Sequence, residues 1–192
     1  MIRSPFLIKN FISGDLLTSF QKHADELKRI GPTLPEDKLF KRIGFHNDSM
    51  FTKFHREFVA PMAMKLYKMP LKPSYNFLSC YHQGEGECPL HVDRHQCFVT
   101  IDICLNQLKP WPLYINSSEN FDKKGVDLFF TRELAAIEQI RENSEEFIME
   151  PGDAVCYSGT THAHWRKQID ADNFCDLVFF HFVEENFEGD LG

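Results

Sequence analysis

Two periodicities divide the chain. Through residue 73, apolar side chains recur every three or four positions. Leu16, Leu17, Phe20, Ala24 and Leu27 share one helical face behind Ser13 or Asp15 as cap. Gly31-Pro32 and Pro35 end that helix. A second helix starts near Asp48 or Ser49 and aligns Phe51, Phe54, Phe58, Met62 and Leu66, with Pro61 kinking or dividing it. Met69-Pro70 and Pro73 stop it. From residue 74 the pattern turns extended, rich in β-branched and aromatic residues. It predicts strands over 74–81, 98–105, 113–115, 147–149, 154–157 and 176–183. Pro151-Gly152-Asp153 reads as a tight turn between two of them. The exception is a short helix within 131–143, marked by Leu134, Ile137 and Ile140, after a polar run over 116–125 that reads as a surface loop.

Helices first and strands afterwards predict a mainly β, α+β fold in which N-terminal helices buttress a sandwich or barrel. The expected layout is a single domain over 1–192. Residues 1–73 form a helical buttress, 74–184 the β core with an insertion over 116–146, and 185–192 a tail. A chain of 192 residues buries roughly 70% of its surface, enough for a core without staples. The 19 phenylalanines, many in runs such as Leu128-Phe129-Phe130 and Val178-Phe179-Phe180, suit the space between packed sheets.

Charge and cysteine usage narrow the partners and the compartment. A net charge of −7 argues against nucleic acid and anionic membrane as partners and favours a small-molecule or protein substrate. The stretch 28–42, with Lys28, Arg29, Lys38, Lys41 and Arg42, reads mainly as a solvated basic face. Nothing approaches the roughly 18 apolar residues of a membrane span. Six scattered cysteines without a Cys-x-x-Cys pair, in a chain with no export signal, read as reduced thiols in the cytoplasm.

Chemistry concentrates in two short histidine clusters. The first holds His91, Asp93, Arg94 and His95; the second holds His162, His164 and Arg166. His91 and Asp93 are two apart, so on an extended chain both point to one side. A distant histidine, His162 or His164, would complete a two-histidine, one-carboxylate face that leaves the opposite side of an ion open. That donor set is the one associated with non-haem Fe(II) oxygenases. A trio of His91, Asp93 and His95 would stretch about 13 Å at about 3.3 Å per residue, too far for one ion. Asp102, inside an apolar strand, would need a partner or a proton if buried, so it reads as pointing into a wet barrel or as lying on a solvated face.

The order of features over residues 74–184 resembles the 2-oxoglutarate/Fe(II)-dependent oxygenases, particularly their prolyl-hydroxylase-like branch. Tyr81 ends a strand, Gly84-Glu85-Gly86 turns, and Pro89-Leu90 lead into His91-Val92-Asp93. A strand then closes on Leu105-Asn106, Pro151-Gly152-Asp153 opens another, and a distal histidine follows. The Trp111-Pro112-Leu113-Tyr114 and His164-Trp165-Arg166 runs resemble a largely uncharacterised subgroup. The resemblance implies a double-stranded β-helix, a jelly-roll or cupin-like barrel. It also implies Fe(II), 2-oxoglutarate as co-substrate, and O2. His91, Asp93 and His164 match the ligands, with His162 as the alternative distal ligand, and Tyr81 matches a pocket tyrosine. Because Asp93 is retained, where halogenating relatives carry a small residue, the resemblance implies hydroxylation.

One part departs from the family's pattern. The basic residue expected about ten positions after the distal histidine, which grips the far carboxylate of 2-oxoglutarate, is replaced by Phe174. Arg166 is the expected substitute, since a guanidinium stays charged and offers a planar fork; His181 and Lys109 are alternatives. The missing basic residue keeps a second reading open, a cupin-like metal protein that does not use 2-oxoglutarate.

Overall fold

The computed structural model describes residues 4–32, 38–82, 84, 86–118 and 134–192. Its elements are β1 (Phe6–Ile8), α1 (Gly14–Ile30), β2 (Arg42–His46), α2 (Ser49–Phe54), a π-helical turn (His55–Val59), α3 (Ala60–Tyr67), β3 (Leu71–His82), β4 (Cys88–His91), a 3₁₀ turn (His95–Cys97), β5 (Val99–Gln107), β6 (Leu113–Asn116), α4 (Leu134–Glu142), β7 (Glu145–Phe147), β8 (Ala154–Tyr157), β9 (Ala163–Arg166) and β10 (Phe174–Glu184).

The strands form two antiparallel sheets. The larger runs β1-β8-β5-β10-β3-β2 and the smaller β4-β9-β6-β7. From β3 onward the chain passes repeatedly between the two, so that neighbours in space are mostly not neighbours in sequence. Strand alternation divides the larger sheet into two chemically distinct faces. Leu78, Ile101, Ile103, Leu105, Val178, Phe180 and Phe182 join Phe20, Phe51 and Phe54 of the helices in one buried cluster. The alternate positions, including Tyr81, Val155, Tyr157 and Leu177, pack with Trp111, Leu113 and Ile115 of the smaller sheet. The helices therefore cover the outer face of the larger sheet, while the space between the sheets holds the polar positions.

Three local features explain where the structure departs from the periodicity. The first 73 residues are not wholly helical: β1 and β2 sit at the two edges of the larger sheet, and β3 begins at Leu71. The second helix is divided, as Pro61 requires, and the division takes the form of a π-helical turn at His55–Val59. That extra residue shifts the helical phase, which turns Phe58 and Met62 outward, to 61% and 38% exposure, off the face that regular spacing assigns them. The strand expected over 147–149 lies earlier, at Glu145–Phe147, and the helix expected within 131–143 is described from Leu134 to Glu142. Residues 119–133, which include part of the expected loop, lie outside the described residues.

The predicted turn at Gly152 has φ +95°, and a Cβ there would stand 2.4 Å from the Ile12 carbonyl oxygen, so only glycine fits. Asp153 beside it accepts hydrogen bonds from the backbone N–H groups of Asn10 and Glu150 and an ion pair from Lys9, stitching the N-terminal segment to the turn before β8. All six cysteines are buried as reduced thiols. No helix among the described residues is long and apolar enough to cross a membrane.

Candidate metal centre

Pairing of β4 with β9 sets His91 directly opposite His164. A register shift between Cys88 and His91 compensates for Pro89, which cannot donate to the ladder, and leaves both Cys88 and His91 lining the intersheet cavity. Asp93 follows β4 in a turn held by its own N–H, which donates to the Gly159 carbonyl at 2.7 Å. His91 Nε2 lies 3.4 Å from Asp93 Oδ1, and His164 Nε2 lies 3.7 Å from Asp93 Oδ2. The two imidazole centroids are 4.2 Å apart. One donor atom from each of the three residues fits within 4.8 Å of the others.

The backbone fixes both imidazoles in the same sense. His91 Nδ1 is 2.7 Å from the Pro89 carbonyl oxygen, and His164 Nδ1 is 2.9 Å from that of His162. A carbonyl only accepts, so each Nδ1 carries a proton and each Nε2 is turned toward Asp93. This is how a protein presents imidazole to an ion. Burial alone would raise the Asp93 carboxyl, but His164 and His91 outweigh it and hold it well below the usual carboxylate range. His164 is pushed down to about 3 by burial and by the neighbouring His91. Burial opposes the charge on His91, yet Cys88 and Asp93 together raise it well above its ordinary value. An anion between two imidazoles, both with Nε2 inward, is an arrangement that could hold a metal ion.

His162, the alternative distal residue, takes a different part. It precedes β9, so strand alternation does not apply to it, and its Nδ1 accepts the Ser158 N–H at 3.2 Å. It therefore braces the turn over 158–162, and its carbonyl orients His164.

Gly159 closes the site from behind. A Cβ at this position would lie 2.2 Å from Asp93 Oδ2 and 2.8 Å from the Cys97 carbonyl oxygen. Gly159→Ala is therefore expected to push Asp93 off the imidazole pair and weaken metal binding by about tenfold or more. Equilibrium titration with Ni(II) or Co(II) checks this; affinity equal to the parent would mean the carboxylate has room to spare.

The three residues open onto a cavity of about 320 Å³ between the sheets. Arg166 lies deep within it, and one guanidinium nitrogen is 2.9 Å from Asp102 Oδ2. Arg166 also donates to the Trp111 carbonyl and stacks 4.9 Å over the Trp111 ring. Asp102 is thus a buried ion-pair partner, 0% exposed, and its Oδ1 has no hydrogen-bond partner. Burial raises its carboxyl to about 6 despite Arg166. Tyr81, 1% exposed, meets Trp111 edge-on at 4.7 Å and accepts a hydrogen bond from Arg42 at 3.2 Å. His181 also lines the cavity, near Asp93 and Cys97, with Nδ1 3.0 Å from Thr100 Oγ1. Burial lowers it to about 4, so it is neutral and unsuited to gripping an anion. Lys109 is exposed and paired with Asp172, and it does not line this cavity.

Arg42, which the sequence offers only as one charge of the basic stretch 28–42, also lines this cavity. It stands on β2 and donates to Ser79 Oγ at 2.9 Å, with its guanidinium over Phe40 at 4.4 Å and Phe77 at 4.8 Å. The alternation of Ile43 and Phe45 with Arg42, Gly44 and His46 was the signal for that strand, hidden within the basic stretch.

No protein-family model and no curated protein sequence matches the chain. Solved structures do. HygX from Streptomyces hygroscopicus, with nickel and 2-oxoglutarate bound, aligns over 96% of this chain and 84% of its own, at a TM-score of 0.67 and 10% identity. The non-haem α-ketoglutarate-dependent carbocyclase SnoK from nogalamycin biosynthesis aligns over 95% and 80%, at 0.70 and 14%. EctD from S. alaskensis with bound Fe aligns over 98% and 76%, at 0.71 and 12%. At such low identity the likeness is one of fold: this chain shares its fold with HygX, SnoK and EctD.

Proposed function

We propose that the protein is a Fe(II)- and 2-oxoglutarate-dependent dioxygenase of the prolyl-hydroxylase-like branch, built on a double-stranded β-helix, and that it hydroxylates a small molecule or a protein side chain. The observation that carries this reading is the inward pair of Nε2 atoms, His91 and His164, around the Asp93 carboxylate. The donor set fits the ion: two neutral imidazoles and one carboxylate occupy one side and leave the other to exchangeable ligands. The cavity is of a size that small ligands use. HygX, solved with nickel and 2-oxoglutarate, SnoK, an α-ketoglutarate-dependent carbocyclase, and EctD, solved with Fe, support it through fold alone.

His91, Asp93 and His164 would hold Fe(II). Bound there with 2-oxoglutarate, the metal supplies O2 activation coupled to decarboxylation of the keto acid and oxidation of a substrate C–H bond. Arg166 uses two of its nitrogens on Asp102 and Trp111, and its remaining N–H groups can meet the far carboxylate of the co-substrate. Tyr81 and Tyr157 wall that end and exclude water. Asp93 fills its position against Gly159, in keeping with hydroxylation rather than halogenation. Toward Phe40, Phe77 and Phe179, the Arg42 guanidinium offers a second anion-reading group for a substrate with an apolar body. Six reduced thiols are in keeping with a reducing compartment such as the cytoplasm.

One observation favours a second reading. Arg166 is already neutralised by Asp102, so the same three ligands could serve a cupin-like metal site that takes no keto acid. Anaerobic protein loaded with Fe(II) and then with 2-oxoglutarate separates the two. The dioxygenase is expected to develop a visible metal-to-ligand absorption and, on admitting O2, to release succinate. Iron bound tightly, with neither absorption nor succinate, would establish the second reading instead.

A further inference from the structure

The face of the larger sheet turned toward α1 carries a second cluster of donors, independent of the reading at His91. Cys80 and His82 are two apart on β3 and share that face. Asp176 on β10 lies directly opposite Cys80 in register, and Phe174 lies opposite His82. A sulfur, an imidazole nitrogen and a carboxylate oxygen from these three residues all lie within 4.8 Å of one another. A cavity of about 390 Å³ opens beside them, lined by Lys28, His82, Asn106 and Phe174 among others.

Asp176 shows that the cluster is incomplete. It is 1% exposed, and its Oδ2 accepts Lys28 Nζ at 2.7 Å. Its Oδ1 makes no hydrogen bond of normal geometry, although the weakly donating Cys80 thiol stands next to it. A carboxylate oxygen stripped of water and left without a good donor is costly to maintain.

We propose that Cys80, His82 and Asp176 form a second metal site, for Zn(II) or a similarly thiophilic divalent ion, with a fourth position open to water from the adjoining cavity. The donor chemistry sets the class of ion. A thiolate and an imidazole suit zinc, whereas magnesium and calcium take oxygen donors almost exclusively. Tetrahedral zinc, with Zn–S about 2.3 Å and Zn–N about 2.0 Å, brings its ligands to roughly 3.5 Å from one another. His82 is the partly exposed member and can swing inward to close the gap. Charge also balances: thiolate and carboxylate offset the divalent ion, while Lys28 keeps its partner Asp25 at 2.9 Å. Binding replaces the S–H proton of Cys80 by a metal–sulfur bond and releases that proton to solvent, so affinity rises with pH. Burial and the neighbouring Asp176 raise the Cys80 thiol, so this dependence extends into the alkaline range, and burial lowers His82, which favours its neutral imidazole.

Cobalt substitution isolates the site, because the His91, Asp93 and His164 set contains no sulfur. Cys97, close to Asp93 and His181, and Cys88, beside His91 in the intersheet cavity, are thiols that could confuse the signal, so the double variant Cys88→Ala/Cys97→Ala serves as the background. Titration of the full chain with Co(II) is expected to give a thiolate-to-cobalt charge-transfer band in the near ultraviolet. The band should persist in Asp93→Ala and vanish in Cys80→Ala. His82→Asn, at a partly exposed position that the fold does not depend on, should weaken the titration at least about tenfold. Lys28→Met, which removes a competing cation from Asp176, should tighten it about tenfold. Absence of the band from the background protein, or its survival in Cys80→Ala, would overturn the proposal. If Cys80→Ala does not fold, unchanged affinity in both His82→Asn and Lys28→Met would overturn it equally.

Discussion

Asp93→Ala is expected to abolish tight Fe(II) binding and, with it, succinate formation. Asp93 is the anion that both inward Nε2 atoms face, at 3.4 and 3.7 Å, and its replacement leaves two imidazoles whose ring centroids are 4.2 Å apart with no negative charge between them. Loss of groups that merely orient metal-ligating residues costs about 10–100-fold in affinity. Loss of the carboxylate itself should exceed about a hundredfold. The measurement is a competitive chelator titration followed by succinate quantification under saturating metal. Asp93→Glu, which restores charge on a longer arm pressed against Gly159, should recover only part of the affinity, because a Cβ at residue 159 would already stand 2.2 Å from Asp93 Oδ2. Full retention of iron in Asp93→Ala would show that the histidine pair holds its ion through some other donor.

Much of this centre was legible because its parts are local. His91 and Asp93 declare themselves by a two-residue spacing, and that spacing survives folding since His91 ends β4 and Asp93 follows just beyond it. The pairing of His164 with His91 is of another kind. It depends on an antiparallel register between segments more than seventy positions apart, and spacing alone does not distinguish His164 from His162. What separates them is the end of a strand: β9 begins at Ala163, so His162 falls into the preceding turn. The same limit concealed Arg42 and Asp102. Asp102 read as an anomaly in an apolar strand until Arg166, on the other sheet, supplied its partner. The exposed positions of Phe58 and Met62 were illegible for a different reason, because a π-helical turn changes the phase without changing the composition.

The buried pair of Arg166 and Asp102 decides whether the cavity takes a dicarboxylate, and Arg166→Met tests it. Iron binding should persist, since Arg166 makes none of the contacts that orient His91 or Asp93. Binding of 2-oxoglutarate should fall by about a hundredfold, the loss of a bidentate, desolvated ion pair. The substitution also strands Asp102, and breaking such a pair costs about 3–5 kcal/mol of stability. A reduced Tm would then mask the binding defect. The double variant Arg166→Met/Asp102→Asn separates the two effects. It removes the stranded charge and should regain most of the stability, yet it should not regain 2-oxoglutarate. Acidity offers a parallel test in the parent protein. Asp102 is raised to about 6 in the fold, so its neutral form is favoured there, and the stability it contributes is greatest in acid and declines as pH rises from about 4 toward 6. Protonated, it no longer claims the charge of Arg166. Affinity for 2-oxoglutarate on nickel-loaded protein should therefore increase from about pH 8 to about pH 6, with the trend absent from Asp102→Asn. If Arg166→Met binds 2-oxoglutarate as the parent does, the grip on the far carboxylate belongs to another guanidinium of the cavity, Arg42 or Arg94.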